Sequence, residues 1–363
     1  MGLSFMEKNY KFSAFLMKFG CLIISCFFLF GCANREKEIE NEENQSSAAE
    51  LEFFAMDTFM QVLAYGEQES REAAVNAAKE EAERLENLFS TGMESSEIAK
   101  INAFGGGEVS EDTLLLLKRA KELCALTEGT FDISIYPLMC AWGFPEKTYH
   151  IPPATEIAEL KKKIDAAQIV LDEENGYVSF GMEEMQIDLG GIAKGYASAR
   201  IMEIYREKGI VSGLVNLGGN VQVLGTKPDG SLWNIALQNP DKGEEYLGVL
   251  QVKDRAVITS GNYERYFEQD GVRYHHILDP ATGYPADSEW VSVTVVSEDG
   301  TLADGLSTAL FIMGRDRAIQ FWREHSEEFD AIFYTKEQEL YVTEGIAKAF
   351  SSKFPVNLIK REP

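Results

Sequence analysis

Residues 188–196 read Asp-Leu-Gly-Gly-Ile-Ala-Lys-Gly-Tyr and constrain the fold more than any other stretch of the chain. Met185, Ile187 and Leu189 alternate like a buried strand, a Gly-Gly pair follows, and Ile192, Tyr196 and Met202 then recur with helical period. Glycine lacks a Cβ and lets the backbone come close to a ligand. The first amides of the following helix are free and favour an anion. Asp188 and Lys194 flank the turn with opposite charges. Two readings stand at this point: a seat for a phosphate-bearing ligand, or a purely structural turn. The spacing excludes a Walker-type loop and the dinucleotide fingerprint of three spaced glycines after a first strand.

Either side of this turn the pattern is mixed. Residues 53–64 read as a strand carrying Met56-Asp57-Thr58. Val75, Ala78, Ala82, Leu85 and Phe89 mark a long helix, and Ser110 with Glu111 and Asp112 starts another that Gly129 ends. Residues 105–107 and 259–263 read as loops, and 155–163 as a short helix. Strand-like runs fall at 167–171, 177–180, 185–189, 214–217, 221–224, 233–237, 247–252, 256–259 and 290–297. Helices at 302–313 and 315–324 and strands near 330–334 and 339–343 complete the chain. Without a regular βαβ alternation, the expected class is α+β, with mixed, mostly antiparallel sheets and packed helices.

The formal charge of −25 argues against nucleic acid as a partner and requires a metal or local cations beside any phosphate ligand. At the N-terminus, Lys8, Lys11 and Lys18 precede an apolar run, 19–30, too short for an ordinary membrane span. It ends Leu-Phe-Gly-Cys and resembles a bacterial lipoprotein signal, with Cys32 as the lipidated residue; an uncleaved signal anchor is the alternative. Both readings put the remainder on the extracytoplasmic face of a cell membrane. The expected division is a signal at 1–31, an acidic tether at 32–50 and a folded domain at 51–363. Cys124 and Cys140 are expected to be buried free thiols.

Four histidines and two cysteines beyond the tether make a common zinc site improbable, whereas oxygen ligands suit a hard cation such as Mg²⁺. Asp304 and Thr308, at i and i+4, place a carboxylate beside a hydroxyl; they are a ligand pair, or a helix cap and a hydroxyl bonded back to its own helix. His276, before Asp279-Pro280, is a general base or a strand-end histidine bonded to that turn. Met56, Phe131, Trp142 and Tyr263 are ring-stacking candidates or simply core. No nucleophile elbow surrounds any serine, which disfavours a serine hydrolase.

Taken together, residues 188–197 (DLGGIAKGYA), 216–220 (NLGGN), 276–283 (HILDPATG) and 303–314 (ADGLSTALFIMG) resemble the FAD:protein FMN transferase (ApbE) family in order and spacing. Met-Asp-Thr-Phe at 56–59, Phe89-Ser90, Ser96-Glu97 and Gly-Thr-Phe-Asp at 129–132 add to the resemblance, which covers roughly residues 53–350. It implies Mg²⁺-dependent transfer of FMN from FAD to a threonine or serine hydroxyl of a target protein, with AMP leaving. It also implies FAD contacts from Met56, Phe131, Asp132, Asp188, Lys194 and the backbone around Ile277. Metal ligands would be Asp304, Thr308 and the Gly191 carbonyl, with His276 activating the acceptor hydroxyl and His275 facing away. Acceptors would be flavoprotein subunits of membrane redox complexes. An FAD pyrophosphatase releasing FMN and AMP, and a non-catalytic flavin-binding lipoprotein, are the alternatives. Ala199 and Ala281 depart from the family pattern, standing where an Asp and a basic residue are usual.

Overall fold

The computed structural model describes residues 47–241 and 245–362. The expected signal at 1–31, Cys32 and the tether through residue 46 lie outside the described residues. In chain order the elements begin β1 (Ala48–Ala55), β2 (Thr58–Tyr65), α1 (Gln68–Phe89), α2 (Glu97–Phe104), β3 (Gly106–Glu108) and α3 (Glu111–Leu126). Then come α4 (Tyr136–Ala141), α5 (Ala154–Leu160), β4 (Ile169–Asp172), β5 (Tyr177–Phe180), α6 (Ala193–Glu207), β6 (Ser212–Leu217) and β7 (Asn220–Leu224). Next are β8 (Trp233–Gln238), β9 (Tyr246–Val252), β10 (Arg255–Gly261), β11 (Tyr266–Gln269), β12 (Val272–His275) and β13 (Trp290–Ser297). The chain closes with α7 (Gly300–Glu324), β14 (Phe329–Thr335), β15 (Leu340–Thr343), β16 (Phe350–Ser351) and β17 (Val356–Ile359).

The main sheet has nine strands in the order β1-β2-β6-β7-β10-β13-β14-β15-β17, antiparallel except for the β15–β17 pair. Both faces of its centre are covered, which explains why β13 is buried along almost its whole length. Val293 and Val295 point into the larger core with Ile258, Phe333 and the helices. Val296, Val257, Ile332 and Tyr334 point the other way, onto Trp233, Ile235 and Leu250 of the β8–β9 ribbon. A third cluster of Leu138, Met139, Trp142, Phe144, Ile157 and Leu278 forms under the proline-rich excursion. Trp142 Nε1–H donates to the Gly283 carbonyl at 2.9 Å and ties that excursion to the 276–283 turn. The α+β expectation therefore holds.

Several local expectations are corrected. Residues 53–64 are not one strand: Met56 and Asp57 take positive φ (50° and 59°) and close a two-residue hairpin between β1 and β2. β1 starts at Ala48 and so takes in residues assigned to the tether. Residues 185–189 are extended and buried but pair with no strand; the Asn102 side chain stands in, accepting the Ile187 N–H (2.7 Å) and donating to its carbonyl (2.8 Å). Gly106 and Gly107 belong to β3, and 259–261 to β10. Cys124 is buried, but Cys140 is exposed. The separation of helices 302–313 and 315–324 is borne out by Gly314 (φ 72°, ψ −179°), which interrupts α7.

The closest helix crossing, α6 on α7, is made by glycine. A Cβ on Gly195 would lie 2.2 Å from the Gly300 carbonyl oxygen and 2.5 Å from Asp304 Cβ. No side chain fits there without parting the helices. Gly195→Ala should therefore lower the unfolding free energy by about 1–3 kcal/mol, read as a lower urea midpoint. An unchanged midpoint would show that the crossing tolerates a methyl group.

Candidate active site

The 188–194 turn, β10, the 276–280 segment, the 130–135 loop and α7 converge on one cleft of about 170 Å³. It brings together Phe131, Asp132, Asp188, Gly191, Lys194, His276, Ile277, Asp304 and Thr308. Met56 is not among the lining residues. It sits in the β1–β2 turn, where its N–H donates to Glu86 Oε1 at 2.8 Å.

Asp304 is buried, and its Oδ2 accepts the Gly195 N–H at 2.8 Å. It does not cap α7; Asp299 does, accepting the Leu302 N–H at 3.1 Å. Thr308 Oγ1 lies 3.2 Å from Ser260 Oγ on β10, and that Ser260 hydroxyl also meets Ser307 Oγ at 2.7 Å. Burial raises the pKa of Asp304, opposed by the Lys194 charge and the Gly195 amide. Burial likewise raises Asp188, opposed by the Gly190 amide (2.9 Å to Oδ1) and by the charges of Arg265 and Lys194. Two carboxylates held in a low-dielectric cleft favour an arriving cation.

No group of three or more His, Cys, Asp or Glu side chains is placed to hold a metal among the described residues. The residues present still fit a hard cation of the Mg²⁺ kind, which takes one or two carboxylates and completes its shell with water and substrate phosphates. Asp304 and Thr308 lie one turn apart on α7. A Cβ on Gly191 would be 3.8 Å from Thr308 Oγ1 and 3.1 Å from the Phe131 ring, so a side chain there would fill the space between turn and helix. Asp132 contributes little free carboxylate: it caps the turn at 133–135, bonding the Ser134 amide and hydroxyl and the Ala166 amide.

The two adjacent histidines face opposite ways, as alternation along a strand requires. His275 is buried against Phe311 and donates from Nε2 to the Ala286 carbonyl (3.2 Å). The backbone N–H of His276 donates to the Arg265 carbonyl (3.0 Å), and its Nδ1–H donates to the same oxygen (3.1 Å). That bond selects the Nδ1–H tautomer and leaves the Nε2 lone pair available. Burial, with the Arg265 charge adding to it, pushes the imidazole down to about 3, so it is neutral and able to accept a proton.

Two cleft residues escaped the sequence reading, Glu264 and Arg265. Burial pushes the Glu264 carboxyl up to about 7, with Lys194 opposing and Asp304 assisting. Their only signal was an adjacent pair of charges between Tyr263 and Tyr266, in a segment that otherwise reads as a polar loop. The two departures fall outside the lining: Ala199 is on α6, and Ala281 is exposed in the turn, donating its N–H to Asp279 Oδ1 (2.8 Å).

The ApbE family model matches residues 56–333. A protein of Klebsiella pneumoniae (strain 342) named FAD:protein FMN transferase is 35% identical over 272 residues, covering 74% of this chain and 84% of its own length. A Treponema pallidum (strain Nichols) protein of the same name is 31% identical over 360 residues, 93% of this chain and 96% of its own. Among solved structures, the ApbE protein of Thermotoga maritima is 34% identical with a TM-score of 0.79, covering 84% of this chain and 99% of that one. The flavin transferase ApbE of Vibrio cholerae is 27% identical with a TM-score of 0.75, covering 84% and 99%.

Burial of His275 carries a consequence for stability. Its folded pKa, about 4, lies below the ordinary value of 6.5. The unfolded chain therefore binds the proton more tightly, and the contribution present above about pH 6.5 is lost as pH falls towards 4. His275→Phe should flatten the loss of melting temperature over that window. An acid dependence as steep as in the parent would show that His275 is not its source.

Proposed function

The chain belongs to the ApbE family, and on that premise we propose that it is a flavin transferase that moves FMN from FAD to a threonine or serine hydroxyl of a target protein, releasing AMP. The observation that carries this reading is the single cleft in which an unprotonated His276 faces the Asp304–Thr308 pair and Lys194. Phosphoryl transfer asks a protein for positioning and charge neutralisation more than for covalent chemistry. Asp304, Thr308 and the Gly191 carbonyl would hold Mg²⁺, which when bound neutralises pyrophosphate charge. Lys194 adds a fixed cation on the same wall, and Phe131, packed on Gly191, offers an apolar surface for the nucleotide. Asp188 and the backbone around Ile277 complete the nucleotide contacts, and Met56 acts from outside the cleft lining. His276 Nε2 takes the proton of the acceptor hydroxyl.

The protein acts on flavoprotein subunits of membrane redox complexes from the extracytoplasmic face of a cell membrane, held there by a lipid on Cys32. The Leu-Phe-Gly-Cys ending of the apolar N-terminal run supports that anchoring. Metabolic labelling with a palmitate analogue tests it: Cys32→Ser should lose label and membrane association together, and retained label would overturn the anchor.

Incubation of the folded domain with FAD, Mg²⁺ and an acceptor domain tests the transfer, followed by AMP release and acceptor mass. Acceptor mass rises by one FMN less a water, in step with AMP. AMP released with an unchanged acceptor would instead identify an FAD pyrophosphatase, and no AMP a flavin-binding protein. Asp304→Ala should abolish Mg²⁺-stimulated turnover; full stimulation in that variant would remove Asp304 from the ligand set. His276→Ala should slow transfer by about 10²–10⁴-fold with little change in FAD affinity, and equal losses in both would recast it as a binding residue.

A further inference from the structure

Arg265 stands on the turn between β10 and β11 and is tied to His276 twice. Its carbonyl accepts both the backbone N–H and the Nδ1–H of that histidine. Its guanidinium lines the same cleft. One of its five N–H groups, on Nη2, reaches the Phe144 carbonyl at 3.3 Å. Among the described residues no carboxylate lies within 4.0 Å of it, although its field is felt by Asp188, Glu264 and His276. A fork of donors beside a base, with its carboxylate neighbours held beyond contact, suits bidentate recognition of a phosphate.

We infer that Arg265 is a catalytic residue that holds nonbridging oxygens of the FMN-side phosphate while the acceptor oxygen attacks it beside His276. This rests on the transferase reading above. In that step the acceptor O–P bond forms and the bond from the FMN phosphorus to the bridging oxygen breaks. The bond's electrons leave on the AMP phosphate, and the hydroxyl proton passes to His276 Nε2. The attacked phosphorus must lie within reach of the oxygen whose proton His276 takes. Arg265, whose carbonyl fixes His276, is also the cation whose charge acts most strongly on that imidazole, ahead of Lys194. Lys194 and the Asp304–Thr308 pair belong to the other wall, on α6 and α7. The two walls then divide the pyrophosphate, with Arg265 on the charge that spreads over the transferring group's equatorial oxygens.

The tautomer lock comes from the Arg265 backbone, so replacing the side chain removes the guanidinium and leaves the lock in place. Arg265→Gln also keeps a donor for the Phe144 carbonyl. In the FAD, Mg²⁺ and acceptor assay, Arg265→Gln should lower kcat by about a hundredfold or more and change KM for FAD by less than tenfold. Arg265→Lys should recover part of the loss, and added guanidinium ion should restore part of it in Arg265→Gln. Melting temperature and the imidazole nitrogen NMR signature of His276 should match the parent. Wild-type turnover with an equally active Arg265→Gln overturns this assignment alone. So does a loss of rate no larger than the loss of folded protein. A wild-type protein that yields no AMP overturns the transferase reading and this assignment with it.

Discussion

The hydrogen bond from the Gly195 amide to the Asp304 carboxylate, made across two helices in contact, is the constraint on which the site depends. It exists because position 195 has no side chain: the backbone of α6 lies against Gly300 and Asp304 of α7 at a separation that a Cβ would violate. The same crossing sets the distance between the Gly191 turn and Thr308. Ser198 reinforces it, donating its hydroxyl to the Gly195 carbonyl at 2.9 Å or to Gln222 Oε1 at 2.7 Å. Packing and ligand geometry are thus one feature here. Widening the crossing to relieve strain would also pull the carboxylate away from the turn it faces.

Electrostatics explains why so few cations suffice in a chain of net charge −25. The surface carries many Lys and Arg in exposed pairs with acids, such as Lys162–Glu159 and Arg361–Glu327, and such pairs contribute little. In the cleft, Lys194 and Arg265 have no ion-pair partner within 4.0 Å among the described residues, and buried Asp188 and Asp304 face them at longer range. Charges held apart by the scaffold keep their donors free for a ligand. On the transferase reading proposed above, a pyrophosphate would bring anionic charge to donors that the scaffold leaves free.

Much of this was legible in the chain. The DLGGIAKGYA turn, the Asp304–Thr308 spacing and His276 were visible because each depends on local periodicity or a short motif. The strand-like runs that became β10, β13 and β14 marked the sheet core for the same reason. The Met56–Asp57 hairpin was not legible, since Met56 is not a left-handed turn former, Asp57 is only an occasional one, and the apolar pattern runs straight through. The segment 185–189 misled for a related reason: burial produces the alternation of a strand, while the ladder partner is an Asn102 side chain about eighty residues away. Arg265 was hidden because its place beside His276 is fixed through its own carbonyl, a contact that no side-chain pattern records. Glu264 was hidden because its shift comes from desolvation in a cleft assembled from distant segments, with Asp304 of α7 adding to it.

His276 shows how such a non-local arrangement can set chemistry. An imidazole pushed down to about 3 is a poor base, and at first sight that weakens its role. The depression comes first from removal of water, with the Arg265 charge adding to it, and an anion beside the ring opposes the second cause without undoing the first. A pyrophosphate brought to Arg265 offsets the guanidinium field and places negative charge beside the ring, and each change raises its proton affinity. An anion held beside the ring therefore makes the imidazole a stronger base than burial alone would leave it. Trp142, clamped to Gly283 and packed at tilted and edge-on angles among Tyr274, Tyr284 and Phe267, keeps the segment that carries His276 in place. Rigidity of the aromatic cluster and responsiveness of the imidazole are then complementary: the ring need not move for its chemistry to switch on.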